Sequence, residues 1–435
     1  MEQITRRALL TGVLGLASVA ASAELTVALS GCAPEAEGRV LNFDTDEETE
    51  PRRLTFVGNK AGTFNLLAME NTLHEYLDAH RDVVITYEGI KGDPYWTALD
   101  RRRATGHLDD LFMIDHDRVI EMGPEGDLLD LSGVKGLANF TEDARTQFTN
   151  PDGSVWLVPT CISAYGLYCN STLLAEKDVK PPTTWQELLA ACETLGCAEG
   201  RPIVCNNSAS LRSLVLAATL LPVYQRPDAA DVIRAYNDDV PGLCALFRPG
   251  LARVRELLDR GYVDGAEVLV TEQTADDLEL FCSGERPFMA AASWMSPRAS
   301  GDAPEMTFTI VAHPMADDGP VLVTDVNNCI AVNAASEYTS DALSFMEHLC
   351  SPDVVWDFCE TQTSFSPIEG ETRTLADETL APCMETLAAG RVVIASDYRL
   401  TVPVDTALRE ACASLCSGAT VNEAEAVLQA TLEGR

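Results

Sequence analysis

The side chains of this chain that could do chemistry complete no familiar reaction. There is no G-x-S-x-G, no G-x-G-x-x-G, no P-loop and no H-E-x-x-H, so the common nucleophile, dinucleotide, phosphate and zinc devices are missing. The six histidines lack the spacing of a metal site or a triad, and no C-x-x-C occurs among the fourteen cysteines. Sixty-seven Asp and Glu residues make a glycosidase-like carboxylate pair impossible to single out. No cofactor or metal is expected. What stands out instead are two polar clusters, Gly58-Asn59-Lys60 and Asp115-His116-Asp117-Arg118. They offer hydrogen bonds and charge, and they suit holding a molecule better than converting one.

The elements around these clusters place them. "RLTFVG" (53–58), "DVVITYEG" (82–89) and "DDLFMID" (109–115) are β-rich runs. Between them Leu66, Met69, Leu73, Tyr76 and Leu77 mark one helix face, and "YWTALDRRRAT" marks a second helix. Alternation of this kind builds a parallel sheet with helices on its faces. Ligands of such sheets sit outside the carboxyl ends of the strands, which is where both clusters fall.

A second alternation starts near residue 155. "VWLVPTCISAYGLYCN" reads as strands broken at Pro159, and Thr184-x-x-Glu187 opens a helix with a capping box. Helical pattern fills 209–260, and "PFMAAASW" (287–294) is a buried strand ending at Trp294. "FTIVAHP" and "VLVTDVNNCIAVN" are further strands, followed by the helices "SDALSFMEHLC" and "SPDVVWDFCE", the latter capped by Ser351 with Pro352 at its first position. From about 374 the chain is mostly helical. No internal repeat is visible. Two α/β lobes that share the chain in several crossings account for this order.

The N-terminus carries an address. Arg6 and Arg7 precede sixteen uncharged residues, Ala8–Ala23, the pattern of an export signal; "TRRALL" also resembles a twin-arginine signal. Ala21-Ser22-Ala23 offers an ordinary cleavage site, but Leu29-Ser30-Gly31-Cys32 resembles the bacterial lipobox. Cys32 is therefore expected to carry the lipid of the mature chain, on the extracytoplasmic face of the cell membrane. Ala33–Arg53, with seven carboxylates, then reads as a polar tether. The net charge of −36 is unchanged by removal of residues 1–31, which hold two cations and two anions. Such a surface excludes nucleic acid as a partner. The remaining thirteen cysteines read mainly as small buried hydrophobes.

From residue 152, "DGSVWLVPTCISAYGLYCNSTLLAEKDVKPPTTWQELLAACETL" resembles the family 1 extracellular solute-binding proteins of ABC importers, the maltose-binding-like group. "DDLFMIDHDRVIEMGPEGDLLDLS", "FCSGERPFMAAASW" and "NNCIAVNAASEYTSDALSFMEHLCSPDVVWDFCE" resemble its other blocks in the same order. The resemblance covers about residue 54 to the C-terminus. It implies an α/β, two-lobed periplasmic-binding-protein type II fold with an interdomain hinge and cleft. The expected domains are 1–31 (signal peptide), 32–52 (lipidated acidic tether), 53–160 plus 328–366 (first lobe) and 161–327 plus 367–435 (second lobe). Crossings should fall near Thr160–Tyr165, Thr324–Asn328 and Phe365–Ile368.

The resemblance also implies ligand residues. Trp294 stands where the family often stacks an aromatic on a sugar ring. Asn59 and Lys60 match a hydroxyl-gripping pair, and Asp117 and Arg118 a charged pair after the third strand, with Asp115 close behind. Ser163 and Tyr165 lie at the first crossing, and Asn327, Asn328, Phe365, Trp96 and Asp405 are weaker candidates. The chain departs from the maltodextrin branch at Ser163, where that branch has a carboxylate, and at Ile114, where it has a stacking aromatic. These features imply a non-enzymatic, monomeric carrier of a small solute, foremost a carbohydrate or oligosaccharide, that closes on its ligand and serves a membrane permease and its ATPase. A lipid-anchored sensor or surface interaction protein on the same scaffold is the alternative, and a carbohydrate-active hydrolase a more distant one.

Overall fold

Runs of β-branched and aromatic residues set the first sheet. The computed structural model describes residues 38–41, 51–196 and 201–434, so Cys32 and the leader lie outside the described residues. In chain order the elements are β1 (Gly38–Leu41), β2 (Arg52–Gly58), α1 (Thr63–Ala79), β3 (Val83–Ile90), α2 (Asp93–Ala104), β4 (Leu111–Met113) and α3 (His116–Glu125). β2 pairs in parallel with β3 on one side, Leu54 opposite Ile85, and with β4 on the other, Phe56 opposite Leu111. The chain thus reverses its direction of travel across the sheet between β2 and β4, and the crevice at their carboxyl ends is where such sheets receive ligands.

β1 was not foreseen. It pairs antiparallel with the edge of β3, Gly38 opposite Ile90, inside the stretch expected to be tether alone. A short strand suffices to satisfy backbone groups that the edge of β3 would otherwise leave open.

The second sheet begins with β5 (Cys161–Asn170), which is almost wholly buried. There follow α4 (Trp185–Leu195), β6 (Ile203–Val204), α5 (Ser210–Thr219), β7 (Phe288–Ala292), α6 (Ser296–Asp302), β8 (Phe308–Ala312) and β9 (Leu322–Asn327). β5 is the hub, antiparallel to β7, β8 and β9. The chain then returns as β10 (Ile330–Val332), antiparallel to β4, and completes the first sheet in the order β1-β3-β2-β4-β10. Two helices, α7 (Thr339–Leu349) and α8 (Pro352–Thr361), cover that sheet. β11 (Val392–Ile394) joins the edge of the second sheet beside β9, and α9 (Val404–Cys416) and α10 (Val421–Leu432) end the chain.

Each sheet has its own core. Phe56, Leu73, Tyr76, Ile85, Phe112, Phe345 and Phe358 pack around the first; Leu167, Leu214, Phe247, Phe288, Leu408 and Leu428 pack around one face of the second. A smaller cluster with Tyr168, Phe281, Met289 and Phe308 covers the other face. Losing one such buried aromatic to alanine costs ~3–5 kcal/mol. Three chain passages link the sheets. Val158 bridges to Ile330, Cys161 pairs with Asn327, and Ile162 exchanges backbone hydrogen bonds with Phe365, at 2.9 Å and 2.7 Å.

Local sequence signals mostly act as written. Ser351 Oγ accepts from Val354 N at 3.4 Å. Thr184 Oγ1 accepts from Glu187 N, but the Glu187 carboxylate returns to Thr183 N and Thr183 Oγ1 rather than to the cap residue's own N–H. Only half of that capping box forms, and the full one is at Thr420-x-x-Glu423. Twelve cysteines lie among the described residues, ten of them buried, including Cys192 and Cys412. No helix among the described residues is long and apolar enough to cross a membrane.

Candidate ligand-binding cleft

The loop after β2 is built around one tyrosine. Tyr87 Oη accepts from Lys60 N at 3.2 Å and donates to Lys60 O at 2.9 Å. Tyr87 can lie there because Gly58 has no side chain; a Cβ at Gly58 would stand 2.5 Å from Tyr87 Oη. Asn59 N donates to Met113 Sδ at 3.4 Å, across the crevice between β2 and β4, and Asn59 Oδ1 is buried without a partner among the described residues. The Lys60 side chain leaves this clamp toward the second sheet, and its Nζ stands 6.0 Å from the centre of the Trp294 ring. That is the outer limit of a cation–π contact.

Trp294 does not end a strand as expected. β7 stops at Ala292, and Ser293–Met295 form a single 3₁₀ turn. The turn is firmly mounted: Tyr168 Oη donates to Ala292 O at 2.7 Å, and Ser293 Oγ accepts from Ala164 N at 3.2 Å. Trp294 is half-buried, touching both clusters of the second sheet, and its Nε1 has no partner among the described residues. One turn on, Arg298 of α6 reaches the first sheet's α1: its Nη2 would lie 3.6 Å from a Cβ placed on Gly62, the residue before that helix. Lys60, Trp294 and Arg298 therefore meet where the two sheets face each other. Burial lowers the Lys60 ammonium to about 8, with Arg298 pushing the same way, and burial lowers Arg298 as well.

The other strand end is different. Asp115 caps α3, its Oδ1 accepting from Arg118 N at 3.0 Å and its Oδ2 from Arg118 Nη1 at 2.8 Å. Arg118 also binds both oxygens of Asp100 and lies 4.3 Å over the Trp96 ring. Asp117 Oδ2 accepts from Thr406 N of α9 at 2.8 Å, while His116 Nε2 meets Leu400 O at 3.0 Å and its Nδ1 meets Asp117 Oδ1 at 3.3 Å. Burial opposes charge on both His116 and Asp117, but their contact outweighs it, raising the imidazole and lowering the carboxyl. A groove of about 670 Å³ opens beside this corner, lined by Asp100, Arg103, Arg118, Glu121 and Asp127 among others. Its cations are already paired, Arg103 with Glu121, Glu125 and Asp127. Asp115, Asp117 and Arg118 thus hold the corner and the contact to α9 together.

The crossings carry the remaining candidates. Ser163 is fully buried, and its Oγ accepts from Asn327 Nδ2 at 2.8 Å. Asn328 takes a left-handed φ of 50°, which asparagine tolerates better than most; its Nδ2 donates to Cys161 Sγ at 3.6 Å and its Oδ1 is unpartnered. Phe365 is buried in the crossing ladder and packs in the third cluster, which marks it as hinge packing. Tyr165 is buried with the Arg212 guanidinium 5.7 Å from its ring, and Arg212 forms an ion pair with Asp405. Three residues were not anticipated: Arg212 of α5, Arg298 of α6, and Asp325 of β9. Asp325 Oδ2 accepts from Ser396 Oγ at 3.0 Å, Oδ1 has no partner, and burial raises the carboxyl to about 6 against the pull of Arg212.

The model of the bacterial extracellular solute-binding protein family matches residues 71–376. Among curated proteins none matches the sequence. Solved structures similar to this chain include a binding protein in complex with raffinose, at 15% identity and a TM-score of 0.66, covering 88% of this chain and 99% of the other. A sugar transporter from Bacillus licheniformis in complex with stachyose is 16% identical, with a TM-score of 0.66 and coverage of 87% and 98%. The cyclic alpha-maltosyl-1,6-maltose binding protein from Arthrobacter globiformis is 20% identical, with a TM-score of 0.62 and coverage of 88% and 98%.

Proposed function

The chain belongs to the bacterial extracellular solute-binding protein family, and from that premise we propose that it is a carbohydrate receptor for an ABC importer. In this reading Cys32 carries the lipid and holds the receptor at the extracytoplasmic face of the membrane. The two sheets close on a sugar or oligosaccharide by bending at the three crossings, and the loaded form docks on a permease with its ATPase. The receptor works as a monomer and returns its ligand chemically unchanged.

One observation carries the reading. Trp294, half-buried on a hydrogen-bonded turn of the second sheet, stands across from Lys60 of the first, with Asn59 Oδ1 and Trp294 Nε1, both without a partner among the described residues, near the same seam. An aromatic plate with a few aimed polar groups is what a sugar pocket requires, and the raffinose and stachyose complexes supply neighbours of the same fold.

Calorimetric titration with a panel of oligosaccharides tests the ligand class. A sugar at ~100 times its dissociation constant should add roughly 2.7 kcal/mol of stability, contract the chain in small-angle scattering, and be recovered intact. Recovery as hydrolysed fragments would make the protein an enzyme. Cys32→Ala should release the protein into the medium or leave it unprocessed; a variant still membrane-bound at mature size contradicts the anchor.

A further inference from the structure

Lys60 and Arg298 are both drawn out of water, yet among the described residues neither makes an ion pair or a side-chain hydrogen bond. This is unusual chemistry for a chain with 67 carboxylates and 31 basic residues. Buried or half-buried charge is costly unless compensated, and counter-charge is plentiful here. Arg298 feels the charge of Asp277, whose oxygens accept from Asn206 Nδ2 and Leu278 N, and of the exposed Asp302 on its own helix, but among the described residues neither forms an ion pair with it. The charged neighbour of Lys60 is Arg298, a like charge.

A second feature has the same sign. α1 is a 17-residue helix whose N-cap, Gly62, supplies no side-chain acceptor, and its start directs backbone N–H groups and the positive end of the helix dipole outward. The Arg298 guanidinium lies over that end. A cation at a helix N-terminus is the unfavourable arrangement. Cation, cation and helix end become mutually favourable when an anion sits among them, accepting charge-assisted hydrogen bonds from all three. The unpartnered Trp294 Nε1–H is one more donor at the same place.

We propose that the cleft takes a carbohydrate bearing an anionic group, a carboxylate, phosphate or sulfate, with Lys60, Arg298 and the N-terminus of α1 gripping the anion while the sugar ring lies against Trp294. The inference rests on the carbohydrate reading above and narrows it to an acidic subclass. It also gives Lys60 and Arg298 their separate places on the two sheets: the anion is the bridge that draws them together on closure.

Titration of the mature chain with digalacturonate and glucose 6-phosphate, against raffinose and glucose as neutral probes, tests it, with inorganic phosphate as a sugar-free control. The anionic sugars should bind at least tenfold tighter than their neutral counterparts, and added salt should weaken them alone. Lys60→Met and Arg298→Met should each remove most of that preference, and the double variant should bring it below twofold with the melting temperature held. Should either methionine variant fold poorly, Lys60→Gln and Arg298→Gln give the same readout. Equal binding of neutral and acidic sugars, a preference that survives both substitutions, or no binding of any anionic probe at millimolar concentration overturns the proposal. Tight neutral binding would do so while leaving the carbohydrate reading intact. Phosphate binding lost on Lys60→Met, with no sugar bound, would uphold the anion grip and sink the carbohydrate reading.

Discussion

The loops after β2 and after β4 are twins by position and opposites by state. Both follow parallel strands of one sheet, both flank the crevice where the chain reverses, and both are polar. After β4 every charge has a partner within the protein: Asp115 with Arg118, Arg118 with Asp100, Asp117 with Thr406 and His116. After β2 the backbone is clamped by Tyr87 but the Lys60 ammonium is left open. A polar residue at a strand end is available to a ligand only if the fold has not already used its hydrogen bonds. In the proposed reading the first loop presents a binding group, while the second spends its charges on holding the corner together.

Four measurements can break or sharpen that contrast. The largest effect belongs to Trp294→Ala, on the seam that the β2 loop faces. Removing it should weaken sugar binding by on the order of 1–3 kcal/mol, a ten- to hundredfold loss, and lower stability by less than the ~3–5 kcal/mol of a fully buried aromatic. Unchanged affinity with a collapsed melting temperature would make it core and leave the β2 loop without a counterpart.

Gly58→Ala comes next. Its Cβ would collide with Tyr87 Oη, so the clamp must shift at a cost of ~1–3 kcal/mol, and affinity should fall with it because Lys60 moves. If the melting temperature fell and affinity did not, the clamp would be irrelevant to ligand.

The third is pH. Around Lys60 stand Arg298, which stays charged, and the Cys161 and Cys329 thiols, which burial pushes up, Cys161 to about 11. Only Lys60 therefore titrates near 8. Affinity for digalacturonate, whose carboxylates stay ionised, should be flat from about pH 6 to about pH 8 and fall up to tenfold per unit above it, about 1.4 kcal/mol each. Stability without ligand should move the other way. The folded ammonium at about 8 lies below its ordinary value of 10.5, so the unfolded chain binds more protons between those limits and stability rises with pH there. Affinity independent of pH from 7 to 9.5 would remove Lys60 from the site.

The smallest effects are expected at the corner. Asp115→Ala should lose an N-cap worth ~0.5–2 kcal/mol, and Arg118→Met a partly exposed ion pair worth ~0–1 kcal/mol. Both should leave affinity within twofold. A tenfold loss in either would restore the corner to the binding site.

Much of the frame could be read from the chain. The strand ending at Gly58, a strand within 109–115 that the fold shortens to Leu111–Met113, the caps at Thr184 and Ser351, and the polar groups after each strand follow from local periodicity and turn chemistry. Trp294 was found, though in a turn and not at a strand end, because "AAASW" carries no signal for where β7 stops. Charge pairing was not legible. Asp405 and Arg212 are distant in sequence and paired in space, and nothing local tells that Asp115 has an ion-pair partner while the Lys60 ammonium has none among the described residues. Arg298 was missed for the same reason, although its place one turn beyond Trp294 was a usable hint. β1 escaped notice because four residues in an acidic stretch carry too little pattern to show a strand.

The twelve buried or half-buried thiols have a consequence for the lifetime of the protein. Burial raises Cys161, Cys244 and Cys282 to about 11 and Cys383 to about 12. At neutral pH about one molecule in ten thousand or fewer then carries the reactive thiolate at any of these positions. While the fold is closed these four positions are chemically quiet toward oxidants and alkylating agents. Each opening of the fold exposes many thiols at once, in a chain able to cross-link itself wrongly before it can close. Covalent damage is therefore timed by unfolding, and the rate at which a small alkylating reagent accumulates on the protein is a direct clock of how often its two cores come apart.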